Sequence, residues 1–401
     1  MKFIHTADLH IDQPFSGIHS DHADMKEILK TGNQQTLTRI VDLCMEKEVD
    51  FLLVVGDTFH QNQPSIHTQK FVMDQFERLN QANIKVVMSF GNHDYYTESR
   101  YWFEWPDNVV LYKKEEVQTK TLTLKNGDSV AISGFSYEHN WITDSKLPEF
   151  PRRDTASTYH IGFYHGDDTG NYAPFLPSDL PLNYEYWALG HIHKSGVLSE
   201  RPLTVYPGTP QGHTKKETQT NGVAYVEIDR GGRHIEWLDV AAIKWYQETV
   251  QVDDDISKTS LLSHIETTVL EKDYFHELNV VSIHLVTTAE NAREILHEKE
   301  EVLAFLQEKI YQASNKKVWV QELTIAKATS DKLIMGFQAS LIDDLGRVYQ
   351  TKENFEAVVS DLLNQPELVT SLKWDEEDMK DIVTESSQLI KDKMIFKNEE
   401  D

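Results

Sequence analysis

Strand-like apolar runs in this chain keep ending in the same way. Residues 51–55 (Phe-Leu-Leu-Val-Val) form a continuous apolar run, the mark of a strand buried on both faces, and Gly56-Asp57-Thr58-Phe59 follows at once. Residues 85–90 lead into Gly91-Asn92-His93-Asp94, and residues 186–189 lead into Gly190-His191-Ile192-His193. A short N-terminal strand runs out in Thr6-Ala7-Asp8-Leu9-His10, and Tyr164-His165-Gly166 is a fifth such place. Asp8, His10, Asp57, Asn92, His165, His191 and His193 therefore all sit where a predicted strand becomes a loop. In α/β sheets ligands bind beyond the carboxyl ends of the strands, so this placement reads as one binding site.

Between these points strand alternates with helix. Leu37, Ile40, Val41 and Cys44 recur at helical spacing, as do Val72, Phe76 and Leu79 behind Ser65, a natural N-cap. Residues 121–132 carry Asn126-Gly127 between alternating segments, which specifies a hairpin. Residues 223–228 add another strand. The expectation is an α/β fold of mixed sheets, two of them face to face, with helices outside.

After about residue 243 the pattern changes. A strand at 245–252 passes through Asp253-Asp254-Asp255 into a helix with Leu262, Ile265 and Val269 on one side. A strand at 278–286, a charged helix across 293–311 and a strand at 318–325 complete a compact α+β unit without a ligand cluster. From about 335 the chain reads as helical and acidic, with Val358, Val359, Leu362 and Leu363, then Met379, Ile382, Val383, Leu389 and Ile390. At 401 residues the chain exceeds one ordinary core, and the expected division is 1–243, 244–335 and 336–401.

The net charge of −26 opposes average attraction to a phosphate backbone. The basic pairs Lys113-Lys114, Arg152-Arg153, Lys215-Lys216 and Lys316-Lys317 read as solvated surface. Nucleic acid bound here would be held by metals, by local patches or with a partner's help. No run of about 18 apolar residues occurs, so no membrane span is expected. Residues 1–10 read as a strand ending in candidate ligands, so no signal peptide is expected there. The single cysteine, Cys44, reads as core, and one thiol fits a reducing cytoplasm without disulfides.

Taken singly, each cluster has a bland reading: Asp57 as a turn former, a lone histidine as hydrogen-bonded structure. Together they suit two divalent cations held by oxygen and imidazole, with one carboxylate between them. Asp8 and His10, two apart on an extended segment, point to one side and can chelate one ion; His191 and His193 repeat that spacing. Asn92 supplies a neutral oxygen, leaving the adjacent His93 to act on substrate. Two cations a few Å apart clamp a phosphate ester for attack by water, so a two-metal phosphoesterase is expected.

The set Asp-x-His, Gly-Asp, Gly-Asn-His-Asp, His and Gly-His-x-His, over about residues 1–213, resembles the calcineurin-like metallophosphoesterase superfamily. Gly56-Asp57-Thr58-Phe59-His60 with Pro64-Ser65, and Tyr206-Pro207-Gly208-Thr209-Pro210, resemble the Mre11/SbcD branch of DNA repair nucleases, and within it the bacterial YhaO type. The Asp-Arg-Gly of the superfamily's protein phosphatases is absent after the second motif.

The resemblance implies a four-layer α-β-β-α sandwich followed by a capping domain and a helical segment. It implies one ion on Asp8, His10, Asp57 and His193 and a second on Asp57, Asn92, His165 and His191, with Asp57 bridging. Mixed ligation favours Mn²⁺, with Fe and Zn left open. His93 matches the catalytic histidine, which would stabilise developing charge and protonate the leaving oxygen; His60 matches a second active-site histidine, and Asp94 would orient the loop. The implied activity is a DNA exonuclease or endonuclease working with an SbcC/Rad50-like coiled-coil ATPase docked on the helical tail, with a homodimer as a further expectation. The rivals are a phosphodiesterase of small molecules or nucleotides, and a scaffold that keeps the site but mainly anchors its partner.

Overall fold

The computed structural model describes residues 1–61, 63–167, 170–218, 222–252, 256–287, 297–326 and 345–363, and, nearer the C-terminus, 379–380, 382–384 and 386–387. Met1–Ala326 form one compact unit and Lys327–Asp401 a second.

Two six-stranded sheets organise the first unit. One runs in the order β12 (Arg233–Leu238), β11 (Val223–Ile228), β1 (Lys2–Thr6), β2 (Phe51–Val55), β3 (Lys85–Ser89), β4 (Val109–Leu111). The other runs β5 (Gln118–Thr123), β6 (Ser129–Gly134), β7 (Tyr159–His165), β8 (Tyr186–Gly190), β10 (Leu203–Tyr206), β9 (Gly196–Glu200). The β5–β6 hairpin turns at Asn126-Gly127, where Gly127 takes φ +86° and its N–H donates to Leu124 O. That left-handed position is why glycine is required there.

The residues of β2 divide by parity. Phe51, Leu53 and Val55 enter a core shared with Ile161, Phe163, Tyr186 and Ala188 of the second sheet. Leu52 and Val54 face the other way, into a core with Leu37, Ile40, Val41, Cys44, Val72, Phe76 and Leu79. Those side chains come from α1 (Ala23–Glu46) and α2 (Ile66–Gln81), the latter capped by Ser65 Oγ accepting from Thr68 N at 3.1 Å. A strand buried on both faces needs apolar residues at every position, which is what the continuous run supplies. Truncating one of them, Leu53→Ala, would cost about 2–5 kcal/mol through lost transfer energy and a cavity.

The far face of the second sheet buries Phe135, Tyr164, Trp187 and Leu189 under Ile142, Leu147, Phe150 and Phe175. Among the described residues that covering layer is loop and short 3₁₀ turns (Leu147–Glu149, Pro177–Asp179) rather than α-helix. Aromatic rings stack within it, as in Tyr184 on Trp187 at 5.0 Å.

The remainder of the first unit is a βαβαβ layer: β13 (Ile243–Gln251), α3 (Lys258–Leu270), β14 (Leu278–Val286), α4 (Lys299–Ala313) and β15 (Val318–Ala326), all strands parallel. Both helices cover one face, through Leu261, Ile265, Leu306 and Ile310. The other face, with Trp245, Val280 and Trp319, packs on Met25, Ile28 and Leu29 of α1. The acidic run Asp253–Asp255 and residues 293–296 of the expected second helix lie outside the described residues.

In the C-terminal unit, α5 (Lys352–Leu363) and nearby segments bury Phe355, Met379 and Val383 together, with Val359 and Ile382 packed against them; Val358 is exposed. The side chains of Leu362 and Leu363, and all of residues 335–344, Leu389 and Ile390, lie outside the described residues. No described helix is long and apolar enough to cross a membrane.

Candidate metal centre

Strand register gathers the clusters. Parallel pairing sets Thr6 against Val54 and His165 against Gly190, so β1 and β2 end together, as do β7 and β8. Within the first sheet Asp8 N donates to Gly56 O at 3.3 Å, tying the loops after β1 and β2 together, and His165 Nδ1 reaches across from the second sheet to Val55 O at 3.0 Å. A carbonyl only accepts, so His165 carries its proton on Nδ1 and turns Nε2 toward Asp57 Oδ2, 3.3 Å away.

Two sets of three side chains bring ligand atoms within 4.8 Å of one another: Asp8, His10 and His193, and Asp57, His165 and His191. Asn92 joins the second, its Oδ1 lying 3.1 Å from His165 Nε2 and 3.2 Å from His191 Nδ1. Asp57 Oδ2 is also 3.9 Å from His10 Nε2, so one carboxylate oxygen stands between the two sets. All seven strand-end candidates thus converge. His10, His60 and His93 form a third convergent group beside them, with His60 and His93 stacked at 4.9 Å.

The backbone reaches this arrangement by a route the spacing did not predict. Asp8 and His10 are not on an extended segment; β1 ends at Thr6, and both residues take positive φ, +51° and +40°. Asp57 (+50°) and His191 (+94°) do likewise. Left-handed backbone is costly at non-glycine residues, and four such positions gather at this one site. Asp94 holds the strained loops together, taking backbone N–H groups from Asp57, Thr58, Phe59 and Gly91.

The charges are arranged for a cation. Burial would raise the Asp57 carboxyl, but His165, His93 and His10 outweigh it and hold it well below the usual range. Burial raises Asp8 and drives His10 far down. Burial also opposes charge on His165 and His193, yet Asp57 raises the first and Glu217 with Asp8 the second, each to about 9. In the protein without ions, protons on His165 and His193 therefore supply positive charge beside the buried carboxylates, and a bound metal would replace such protons.

The donor set fits divalent ions. His10 and His193 bring their Nε2 atoms to 3.2 Å, the separation that two imidazoles about 2.1 Å from one ion would have. Behind the donors there is no room for a side chain: a Cβ on Gly91 would lie 2.2 Å from Asp57 Oδ1, and one on Gly56 2.3 Å from His165 Nδ1.

The calcineurin-like phosphoesterase family matches residues 1–195, the stretch that carries every candidate ligand. An uncharacterized metallophosphoesterase, YhaO, of Bacillus subtilis is 34% identical over 275 residues, covering 67% of each chain. The chain belongs to the calcineurin-like metallophosphoesterase family. Two proteins named DNA double-strand break repair protein Mre11 are more distant. That of Methanopyrus kandleri is 23% identical over 62% of this chain and 61% of its own length, and that of Methanocaldococcus jannaschii 24% over 61% and 66%. The chain thus spans somewhat less than two thirds of these archaeal relatives. Metallophosphoesterases use divalent metal ions, and the Asp/His cluster is where this chain could hold them.

The residues behind the ligands escaped the sequence reading. Glu217 accepts from His193 Nδ1, Asp167 lies 3.6 Å from His191 Nε2, and Asp12 Oδ1 takes the His60 N–H at 2.6 Å. The signal that could have found Glu217 and Asp167 is general: ligating imidazoles turn their second nitrogen to a carboxylate or carbonyl. With 65 acidic residues, however, spacing alone cannot say which one.

Proposed function

We propose that this metallophosphoesterase is a metal-dependent DNA nuclease, hydrolysing phosphodiesters with two ions, Mn²⁺ first among them. The observation that carries the reading is Asp57 standing between two ligand sets, the arrangement a two-ion phosphodiesterase needs. The archaeal relatives named as break-repair proteins supply the nucleic-acid part. When bound, paired divalent ions supply charge to the phosphoryl oxygens and a more acidic water.

The chain's own residues supply the rest. His93 N donates to Asp57 Oδ1 at 3.0 Å, tying its loop to the shared carboxylate. Its Nδ1 lies 3.4 Å from the His60 carbonyl, which leaves Nε2 as the ring atom to hand a proton to the departing oxygen. His60, stacked on it, would hold that ring in orientation. The helical C-terminal segment, with Leu345, Val348, Tyr349 and Val358 exposed, would dock an SbcC/Rad50-like ATPase.

The net charge of −26 favours the rival reading, a phosphodiesterase of small molecules or nucleotides. Nucleotide release from duplex and single-stranded DNA with Mn²⁺, set beside turnover of bis-p-nitrophenyl phosphate, separates the two. Hydrolysis of DNA supports the nuclease; turnover of the small ester alone supports the rival; neither, with ions bound, leaves a scaffold. His93→Ala should lower turnover about 100-fold or more while the ion content stays that of the wild type.

A further inference from the structure

Glu217 belongs to no ligand cluster, yet it reaches one. Its Oε1 is 2.5 Å from His193 Nδ1, and its Oε2 accepts from His213 N at 2.6 Å and Thr214 N at 3.0 Å. The side chain is 13% exposed. A carboxylate fixed by two backbone N–H groups is a rigid acceptor. It sets the His193 proton on Nδ1 and turns Nε2 toward Asp8 and His10.

The loop that carries Glu217 is fastened to the βαβαβ layer. Trp245 Nε1, on β13, donates to Gly212 O at 2.8 Å. Gln211 Nε2 donates to Ile243 O at 2.7 Å, and its Oε1 accepts from Ala242 N and Ile243 N. Lys215 Nζ meets Glu322 on β15 at 2.8 Å. Little slack remains: a Cβ on Gly212 would lie 2.9 Å from Glu217 O and 3.1 Å from Trp245 Cδ1. An unbroken chain of hydrogen bonds therefore runs from the layer's first strand to one candidate ligand, His193. In the other set, His165 is oriented by Val55 O, outside this loop, and His191 Nε2 lies 3.6 Å from Asp167.

We propose that Glu217 is a positioning residue for His193, and that its loop transmits the placement of the βαβαβ layer to that ligand set alone. The layer thereby tunes the affinity for one ion of the two. This rests on the reading of the two sets as ion sites.

The test is stepwise Mn²⁺ titration by calorimetry on full-length wild type, Glu217→Gln and Trp245→Phe. Nitrogen-edited NMR of the metal-free proteins reports the His193 Nδ1–H. The wild type should take up two ions. Glu217→Gln should weaken one about 10–100-fold, leave the other unchanged, and move the downfield Nδ1–H resonance. Trp245→Phe removes the indole N–H together with part of the buried ring and should weaken the same ion about two- to fivefold. Unchanged affinities in folded Glu217→Gln, or equal loss at both ions, overturn the positioning role. Should that variant not fold, Trp245→Phe decides: no change at either ion overturns the link to the layer. A wild type that binds no ion refutes the metal-centre reading itself, a result distinct from these.

Discussion

The Asp94 carboxylate holds the backbone of Asp57, the residue between the two ligand sets, through a 3.2 Å hydrogen bond from Asp57 N to Oδ1. The same oxygen takes Gly91 N at 2.7 Å, and Oδ2 takes Thr58 N at 2.8 Å and Phe59 N at 3.3 Å. Burial and the Asp57 charge push Asp94 up to about 7, against four donors that favour its anion. It is a clasp between the loops after β2 and β3.

Asp94→Ala leaves those four buried donors without an acceptor and should destabilise the fold by about 3 kcal/mol or more. Asp94→Asn keeps one oxygen and turns an NH₂ toward the other pair of donors, so it should fall between. Urea midpoints of the two variants and the wild type check the order; an unchanged Asp94→Ala midpoint contradicts the clasp.

Gly91→Ala should disable the site without replacing a ligand. The added methyl would lie 2.2 Å from Asp57 Oδ1 and 2.6 Å from His165 Nε2, so both must move. A displacement of about 1 Å at a reacting centre costs on the order of 100-fold in rate. Phosphodiester turnover measured beside far-UV circular dichroism checks it, and a folded variant with wild-type turnover refutes it.

His5 should make stability fall on mild acidification. It is fully buried between Tyr186 OH (2.9 Å) and Leu189 O (3.1 Å), and burial pushes it down to about 3. The unfolded chain binds the proton near pH 6.5 and the folded one does not, so stability is full above about 6.5 and declines from there toward 3. By pH 5 the loss should be about 2 kcal/mol. His5→Gln should flatten that part of the curve. An identical slope between pH 7 and 5 in wild type and variant speaks against the assignment.

Ion loading should stabilise the wild type, because ions bind the folded ligand sets and not the open chain. At 100 times the dissociation constant the gain is about 2.7 kcal/mol, read as a rise in melting temperature that EDTA reverses. Asp57→Ala should show no such rise.

The fold was legible wherever burial imposes a pattern. β2 announced itself because both of its faces are covered, and Ser65 and Asn126-Gly127 because caps and tight turns admit few residues. The ligand clusters were legible because Asp, Asn and His at successive strand ends have no common structural reason. What stayed hidden depends on distance in sequence. Glu217 looks like any other acidic residue until folding brings it to His193, 24 positions away. The left-handed turns at Asp8, His10 and Asp57 were invisible for a related reason: nothing in those residue types asks for positive φ, and only tertiary contacts impose it. Gly32 lies mid-helix in α1, where nothing in the sequence explains it. In the structure a Cβ there would come within 3.1 Å of Ile243 and 3.2 Å of Phe15.

The shared role of Asp57 is tested most directly by anomalous diffraction from Mn²⁺-soaked crystals at the manganese edge. Two peaks about 3.5–4 Å apart, one on each side of the Asp57 carboxylate, are the predicted result. A single peak, or manganese found only away from Asp57, would contradict it.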